Sequence, residues 1–257
     1  MKNTRSHQVK LNAEGTLRKE AEKEASQEYA RIFEQSLDTT EDKLHHFLKY
    51  VRRQDLTRLL ARYEIFKKVL HTKGSIVECG VYRGFGLFAW ALFSEILEPV
   101  NLTRRIYGFD TFSGFSQISD KDANSVRTAT QGDLAAFSYE ELQELIKTFD
   151  KNRFLGHIEK IRLIKGSAVE TIPQFVKENP HLVVSLLFLD FDVYEPTKIA
   201  IESLVPRMPK GSIIAFDELD NSIWPGETQA LLDTLGINNL KIQRLEFDPY
   251  IGYAIIE

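Results

Sequence analysis

The stretch Ser75-Ile76-Val77-Glu78-Cys79-Gly80-Val81-Tyr82-Arg83-Gly84-Phe85-Gly86 decides the fold. Residues 76–79 form a short apolar run carrying one acid, which reads as a buried strand. Glycines follow at 80, 84 and 86, and then Leu87-Phe88-Ala89-Trp90-Ala91-Leu92-Phe93 reads as a buried helix. Strand, glycine turn and helix make the opening unit of a nucleotide-binding α/β crossover. Glycine allows the backbone an approach to a ligand that a Cβ would block. The spacing is Glu78-x-Gly80-x-x-x-Gly84 rather than the dinucleotide pattern Gly-x-Gly-x-x-Gly. A carboxylate at the strand end repels a pyrophosphate and suits an ammonium group. An ordinary strand-to-helix turn shares this pattern, so the rest of the chain has to decide.

The acids at the other strand ends carry the reading further. Residues 105–110 predict a second strand that ends in Asp110, about thirty residues after Gly80. A carboxylate there can take the hydroxyls of a ribose, or can cap a loop. Residues 160–165 predict a third strand running into Gly166-Ser167-Ala168, a turn placed to meet an adenine. Residues 183–189 are continuously apolar, as expected of a central parallel strand, and lead into Asp190-Phe191-Asp192. Residues 212–216 predict a fifth strand ending in Asp217-Glu218. Adjacent parallel strands would then bring Asp190, Asp217 and Glu218 together. Carboxylates so clustered repel unless a cation neutralises them, and hard oxygen donors suit Mg²⁺ or Ca²⁺ over zinc. The bland alternative is a set of separately solvated acids.

Around this core the chain is ordinary. Its 257 residues suffice for one large α/β domain with an appendage. A net charge of −4 offers no basic field for nucleic acid. No apolar run is long enough for a membrane span, and the first residues lack the apolar core of a signal peptide, so a cytoplasmic protein is expected. Cys79, the single cysteine, sits in the first strand and reads as a buried thiol. His45-His46 reads as surface, since adjacent helical residues share no face.

Residues 1–27 are densely charged and predict a solvated helix or a disordered arm. Thr39-Thr40-Glu41-Asp42 signals a helix start, continued by Leu44, Phe47, Leu48 and Val51 at helical spacing. A second helix through Leu56, Leu59, Leu60, Tyr63 and Phe66 is expected to end near Gly74. The expected division is therefore an N-terminal helical extension over 1–55, read as a lid or a homodimer arm, and a main domain over 56–257. The polar segment 111–138 reads as a lid, an acceptor loop or a plain insertion. A terminal hairpin, 240–247 paired with 253–257, closes the sheet with antiparallel strands. The fold class expected is an α/β, doubly wound, Rossmann-like sheet.

Five of these segments, in this order, resemble the macrocin (mycinamicin) O-methyltransferase family, within the class I S-adenosylmethionine-dependent methyltransferases. They are Glu78-Cys79-Gly80-Val81-Tyr82-Arg83-Gly84, Gly108-Phe109-Asp110-Thr111-Phe112-Ser113-Gly114-Phe115, Lys165-Gly166-Ser167-Ala168-Val169-Glu170-Thr171-Ile172-Pro173, Leu189-Asp190-Phe191-Asp192-Val193-Tyr194-Glu195-Pro196-Thr197 and Phe216-Asp217-Glu218. The resemblance implies a seven-stranded sheet with an antiparallel last strand. It implies S-adenosylmethionine, an ammonium and sulfonium carrier without phosphate, as methyl donor. It implies a sugar hydroxyl of a small molecule or glycan as acceptor.

By the same resemblance Glu78 and Gly80 hold the amino-acid end of the donor, with Tyr82 and Gly84 from the turn. Asp110 takes the ribose with Thr111 beside it, Ser167 and Ala168 lie by the adenine, and Asp190 borders the donor. Mg²⁺ is implied at Asp190, Asp217 and Glu218, and Asp192 is implied as general base. Two departures stand out. Glu218 replaces the family's usual second Asp, and Phe85-Gly86 replaces the small or hydroxyl residues that commonly meet the methionine carboxylate. The rival readings are a nicotinamide-dependent oxidoreductase, disfavoured by the glycine spacing, and a non-catalytic protein that keeps the donor site.

Overall fold

A computed structural model of the chain describes residues 19–124 and 129–257. They fall into two compact units, one ending at Leu56 and one running Thr57–Glu257.

In the first unit, helix α1 (Glu20–Gln35) buries no residue, as its dense charge predicts; residues 1–18 of the expected arm lie outside the described residues. The helix start at Thr39 is present: its Oγ1 accepts from the Asp42 N–H at 3.1 Å. The helix that follows, α2 (Thr40–His45), is far shorter than its spacing predicts. A 3-10 turn over Phe47–Lys49 replaces its continuation. Leu44, Phe47 and Leu48 are exposed, so no buried stripe stabilises a longer helix. Helix α3 (Arg53–Val69) follows. It stops five residues short of Gly74, where a turn at Leu70–Thr72 takes over.

The main unit is a seven-stranded sheet in the order β3-β2-β1-β4-β5-β7-β6. Its parallel strands are β1 (Ser75–Cys79), β2 (Ile106–Asp110), β3 (Ile161–Lys165), β4 (Val184–Leu189) and β5 (Ile213–Phe216). Between them run α4 (Phe85–Leu97), α5 (Tyr139–Lys151), α6 (Ala168–Glu178), α7 (Tyr194–Leu204) and, after β5, α8 (Gly226–Thr234). The closing hairpin is antiparallel, as expected. Strand β6 (Gln243–Arg244) is only two residues long, and β7 (Gly252–Ile255) inserts between it and β5.

Strand periodicity divides the core in two. Ile76, Leu186 and Phe188 pack with Phe66, Leu87 and Trp90 on one face. Val77, Cys79, Leu187 and Leu189 pack with Phe175, Ile201 and Leu231 on the other. All six residues of β4 are buried, in keeping with a central parallel strand covered on both faces. The order reverses between β1 and β4, with β2 and β3 on one side of β1 and β4 and β5 on the other. That reversal opens a crevice at the carboxyl ends of the strands, the usual ligand position of an open α/β sheet.

Candidate active site

The glycine turn after β1 has the conformation its sequence requires. Gly80 and Gly84 have φ of +98° and +85°, values that disfavour any side chain. Asp110, at the tip of β2, stitches this turn. Its Oδ2 accepts from the Val81 and Tyr82 N–H groups, each at 2.8 Å, and its Oδ1 accepts from Phe112 N–H at 2.6 Å. Charge-assisted bonds of this kind are strong. The structure thus shows the loop-capping role for Asp110, the alternative that sequence reading kept open. Tyr82 is 45 % exposed, and its carbonyl accepts from Ser138 Oγ.

Ser167 and Ala168, expected beside an adenine, follow the end of β3. Ser167 is the residue before α6, and its Oγ lies 3.3 Å from Ser116 Oγ. Ala168 is buried at the first position of α6. Thr111 Oγ1 donates to Gly114 O at 2.6 Å and accepts from Ser113 N–H at 3.1 Å, which folds the chain after β2 back on itself. Of the long polar segment, residues 125–128 lie outside the described residues. Asp122 in it is buried, and its Oδ1 accepts from Tyr194 N–H at 2.7 Å.

Glu78 is 1 % exposed and ends the inward face of β1. Burial first, partly offset by Arg62, pushes its carboxyl well above the usual range, and Asp190, Asp217 and Asp110 add to the effect. Asp190 follows β4 with its side chain 27 % exposed, and Arg62 Nη2 lies 3.4 Å from its Oδ2. Burial and then the charge of Asp217 push Asp190 up to about 7. Burial, followed by Asp217 and Asp190, pushes Glu218 up to about 8. Asp217 is buried, and the Arg58 guanidinium takes both of its oxygens.

Asp190, Asp217 and Glu218, the expected ligand set, each have a partner within the protein. Among the described residues no group of three His, Cys, Asp or Glu is arranged to hold a metal ion. The physical reason is that two arginines from α3 neutralise Asp217 and Asp190, while Asn221 Nδ2 donates to Glu218 Oε2. The donor chemistry still suits a hard cation, because three carboxyl groups supply hard oxygen atoms at adjoining strand ends.

Sequence reading missed three members of this site. Arg58 and Arg62 lie on a helix that it read only for apolar spacing. Glu227 is fully buried, and its two oxygens accept from Asp192 N–H at 3.3 Å and Glu218 N–H at 3.1 Å. It ties the loop after β4 to the loop after β5. The one available signal was a Glu following Pro225-Gly226 at a helix start. Asp192 itself has φ +63°, a backbone state that a non-glycine residue holds only when its surroundings impose it.

The raised carboxyls have a consequence for stability. In the unfolded chain these groups titrate near 4, whereas in the fold Asp190 and Glu218 keep their protons to about 7 and about 8. Across that window the native state binds more protons than the unfolded state, so stability falls as pH rises. Denaturant unfolding at a series of pH values without divalent cations should show this fall between about pH 4 and 8. Asp190→Asn should flatten it; an identical slope in the variant would remove Asp190 as its source.

A family model described as macrocin O-methyltransferase (TylF) matches residues 3–246. The chain belongs to the macrocin O-methyltransferase family. Membership in this O-methyltransferase family fits the seven-stranded sheet and its antiparallel closing strand. Two solved structures carry the name CalS11. One, called calicheamicin methyltransferase, is 36 % identical with a TM-score of 0.89, covering 93 % of each chain. The other, called a TDP-rhamnose 3'-O-methyltransferase of calicheamicin biosynthesis, is 33 % identical with a TM-score of 0.80, covering 93 % of this chain and 95 % of that one. A curated relative from Streptomyces olivaceus is 26 % identical over 149 residues, 56 % of this chain. It is named 8-demethyl-8-(2,3-dimethoxy-alpha-L-rhamnosyl)-tetracenomycin-C 4'-O-methyltransferase, and the match spans 52 % of its length.

Proposed function

We propose that this family member transfers the methyl group of S-adenosylmethionine to a hydroxyl of a sugar, free, nucleotide-linked or attached to a natural product. The observation that carries the reading is the acidic edge itself: Glu78 near the end of β1, Asp190 and Asp192 after β4, and Asp217 and Glu218 after β5 lie at the crevice where strand order reverses. The names of the similar proteins point the same way, since both a CalS11 structure and the curated relative are named for rhamnose chemistry. The full set of donor contacts proposed is Glu78, Gly80, Tyr82, Gly84, Asp110, Thr111, Ser167, Ala168 and Asp190. No helix among the described residues is long and apolar enough to cross a membrane.

In this reading Glu78 takes the donor's ammonium. Asp110 holds the glycine turn against the donor and presents its remaining lone pairs to the ribose. Asp192 removes the proton of the acceptor hydroxyl. The acceptor oxygen bonds to the sulfonium methyl, the carbon–sulfur bond breaks towards sulfur, and S-adenosylhomocysteine leaves. Much of the rate comes from holding oxygen, methyl and sulfur in line. Mg²⁺, when bound, would supply a Lewis acid that lowers the pKa of the reacting hydroxyl. Asp190, Asp217 and Glu218 would hold it, and Asp217 would exchange the Arg58 guanidinium for the cation.

Calorimetric titration with S-adenosylhomocysteine tests the donor site. Binding is expected in the wild type and is expected to weaken about 10- to 100-fold in Glu78→Gln, which keeps the shape and removes the charge. Turnover of dTDP-rhamnose should fall on chelation of divalent cations and return with Mg²⁺. A wild type that binds no S-adenosylhomocysteine would overturn the methyltransferase reading. Full turnover in the chelator would overturn the metal alone.

A further inference from the structure

Two buried groups of opposite charge, Arg62 on α3 and Glu78 on β1, keep polar atoms without a hydrogen-bond partner beside the start of α4. Arg62 is 3 % exposed, and its Nε and Nη1 have no hydrogen-bond partner. Glu78 is 1 % exposed, and its Oε2 has none either. The two heads meet at Gly86: a Cβ there would overlap Glu78 Oε1 and lie 3.1 Å from Arg62 Nε. The walls are aromatic. The Arg62 guanidinium carbon lies 4.5 Å from the Phe188 ring centroid, 5.5 Å from Phe85 and 6.0 Å from Trp90. Only Nη2 of Arg62 is committed, to Asp190 at 3.4 Å and Asp217 at 3.9 Å.

We propose that Arg62 is the donor to the α-carboxylate at the amino-acid end of S-adenosylmethionine, paired with Glu78 on the adjoining ammonium. The assignment rests on the function proposed above and supplies what its glycine turn lacks. Phe85-Gly86 offers no hydroxyl to a carboxylate. A guanidinium presents N–H donors in a planar fork that matches one. Ligands of a single charge fit less well. An anion such as phosphate would satisfy Arg62 and meet the repulsion of Glu78 and Asp190. A simple cation would satisfy Glu78 and leave the Arg62 N–H groups unpaired. An amino-acid zwitterion satisfies both, because its ammonium and carboxylate stand on one carbon. Burial among aromatic rings strengthens each contact by excluding water.

The test compares two ligands on one protein. S-adenosylhomocysteine carries the carboxylate; 5'-deoxy-5'-(3-aminopropylthio)adenosine is the same molecule without it. Calorimetry on the wild type should show S-adenosylhomocysteine preferred about 10- to 100-fold. In Arg62→Met, of similar length and without charge, that preference should collapse towards parity. Arg62→Lys, which keeps the charge and loses the fork, should retain part of it. Because the readout is a ratio within each variant, a general loss of affinity does not imitate the result. Equal binding of both ligands by the wild type overturns the assignment even where a variant fails to fold. An unchanged preference in a folded Arg62→Met does the same and leaves the methyltransferase reading standing. A wild type that binds neither ligand overturns both.

Discussion

Replacing Asp192 with asparagine should lower turnover about 10²- to 10⁴-fold, the usual contribution of a positioned general base. Affinity for S-adenosylhomocysteine should stay as in the wild type, because Asn keeps the shape of the side chain. Asn also tolerates the left-handed conformation that Asp192 adopts at φ +63°. The main-chain bond from Asp192 N–H to Glu227 is independent of the substituted group. The variant therefore removes the proton acceptor and leaves the loop after β4 in place. Single-turnover methyl transfer with saturating donor isolates the chemical step. Full turnover with donor binding intact would falsify the base assignment.

Gly80→Ala should be the most damaging single methyl in the chain. Gly80 stands at φ +98°, and a Cβ there would overlap the Asp190 carbonyl oxygen. Neither side can yield easily. Gly80 N–H donates to Phe109 O at 2.9 Å and Asp190 N–H donates to Cys79 O at 2.8 Å, so the tip of β1 is bonded to both neighbouring strands. Strain plus displaced backbone should cost about 3–5 kcal/mol. For a chain of this size that lowers Tm by roughly 6–20 °C. Donor binding should be lost with it, because the turn and the Asp190 backbone move together. Gly132→Ala is the control. It has a comparable φ of +84°, but a Cβ there would meet nothing within 4 Å. Its cost should be conformational strain alone, about 1 kcal/mol. Equal losses in the two variants would mean that contact with Asp190 contributes nothing.

The arginines change how the acidic edge is understood. Counted from strand ends alone, three carboxylates ask for a cation. The structure shows two guanidiniums on α3 already serving Asp217 and Asp190, and still leaves the carboxyls of Asp190 and Glu218 raised. The site is therefore tuned by a balance between arginine and carboxylate in which one divalent cation would be a large addition. Glu227 adds a further buried carboxyl, pushed well above its ordinary range by burial and then by Asp190 and Asp192. It bonds main-chain N–H groups on both acidic loops and so sets where Asp192 and Glu218 sit.

The parallel sheet, its strand ends and the glycine turn were legible in the chain because each is written locally. A continuous apolar run such as 184–189 can be satisfied only between two covered faces, and an acid directly after such a run has to lie at the edge. Two of the turn's φ > 0 positions, 80 and 84, carried glycine, whereas Tyr82 between them holds φ +53° with no such signal. What stayed hidden depends on partners distant in sequence. Arg58 meets Asp217 across 159 positions and Arg62 meets Asp190 across 128, so no spacing rule could pair them. Asp110 had two roles open to it, and the loop-capping one became visible only when β2 was laid beside β1. Helix α2 ended early because Leu44, Phe47 and Leu48 found no surface to bury against, and periodicity records the face a helix offers but not whether anything covers it. Local pattern is sufficient for elements and their edges. The charges that meet at those edges are set by packing, which brings together side chains that the sequence keeps apart.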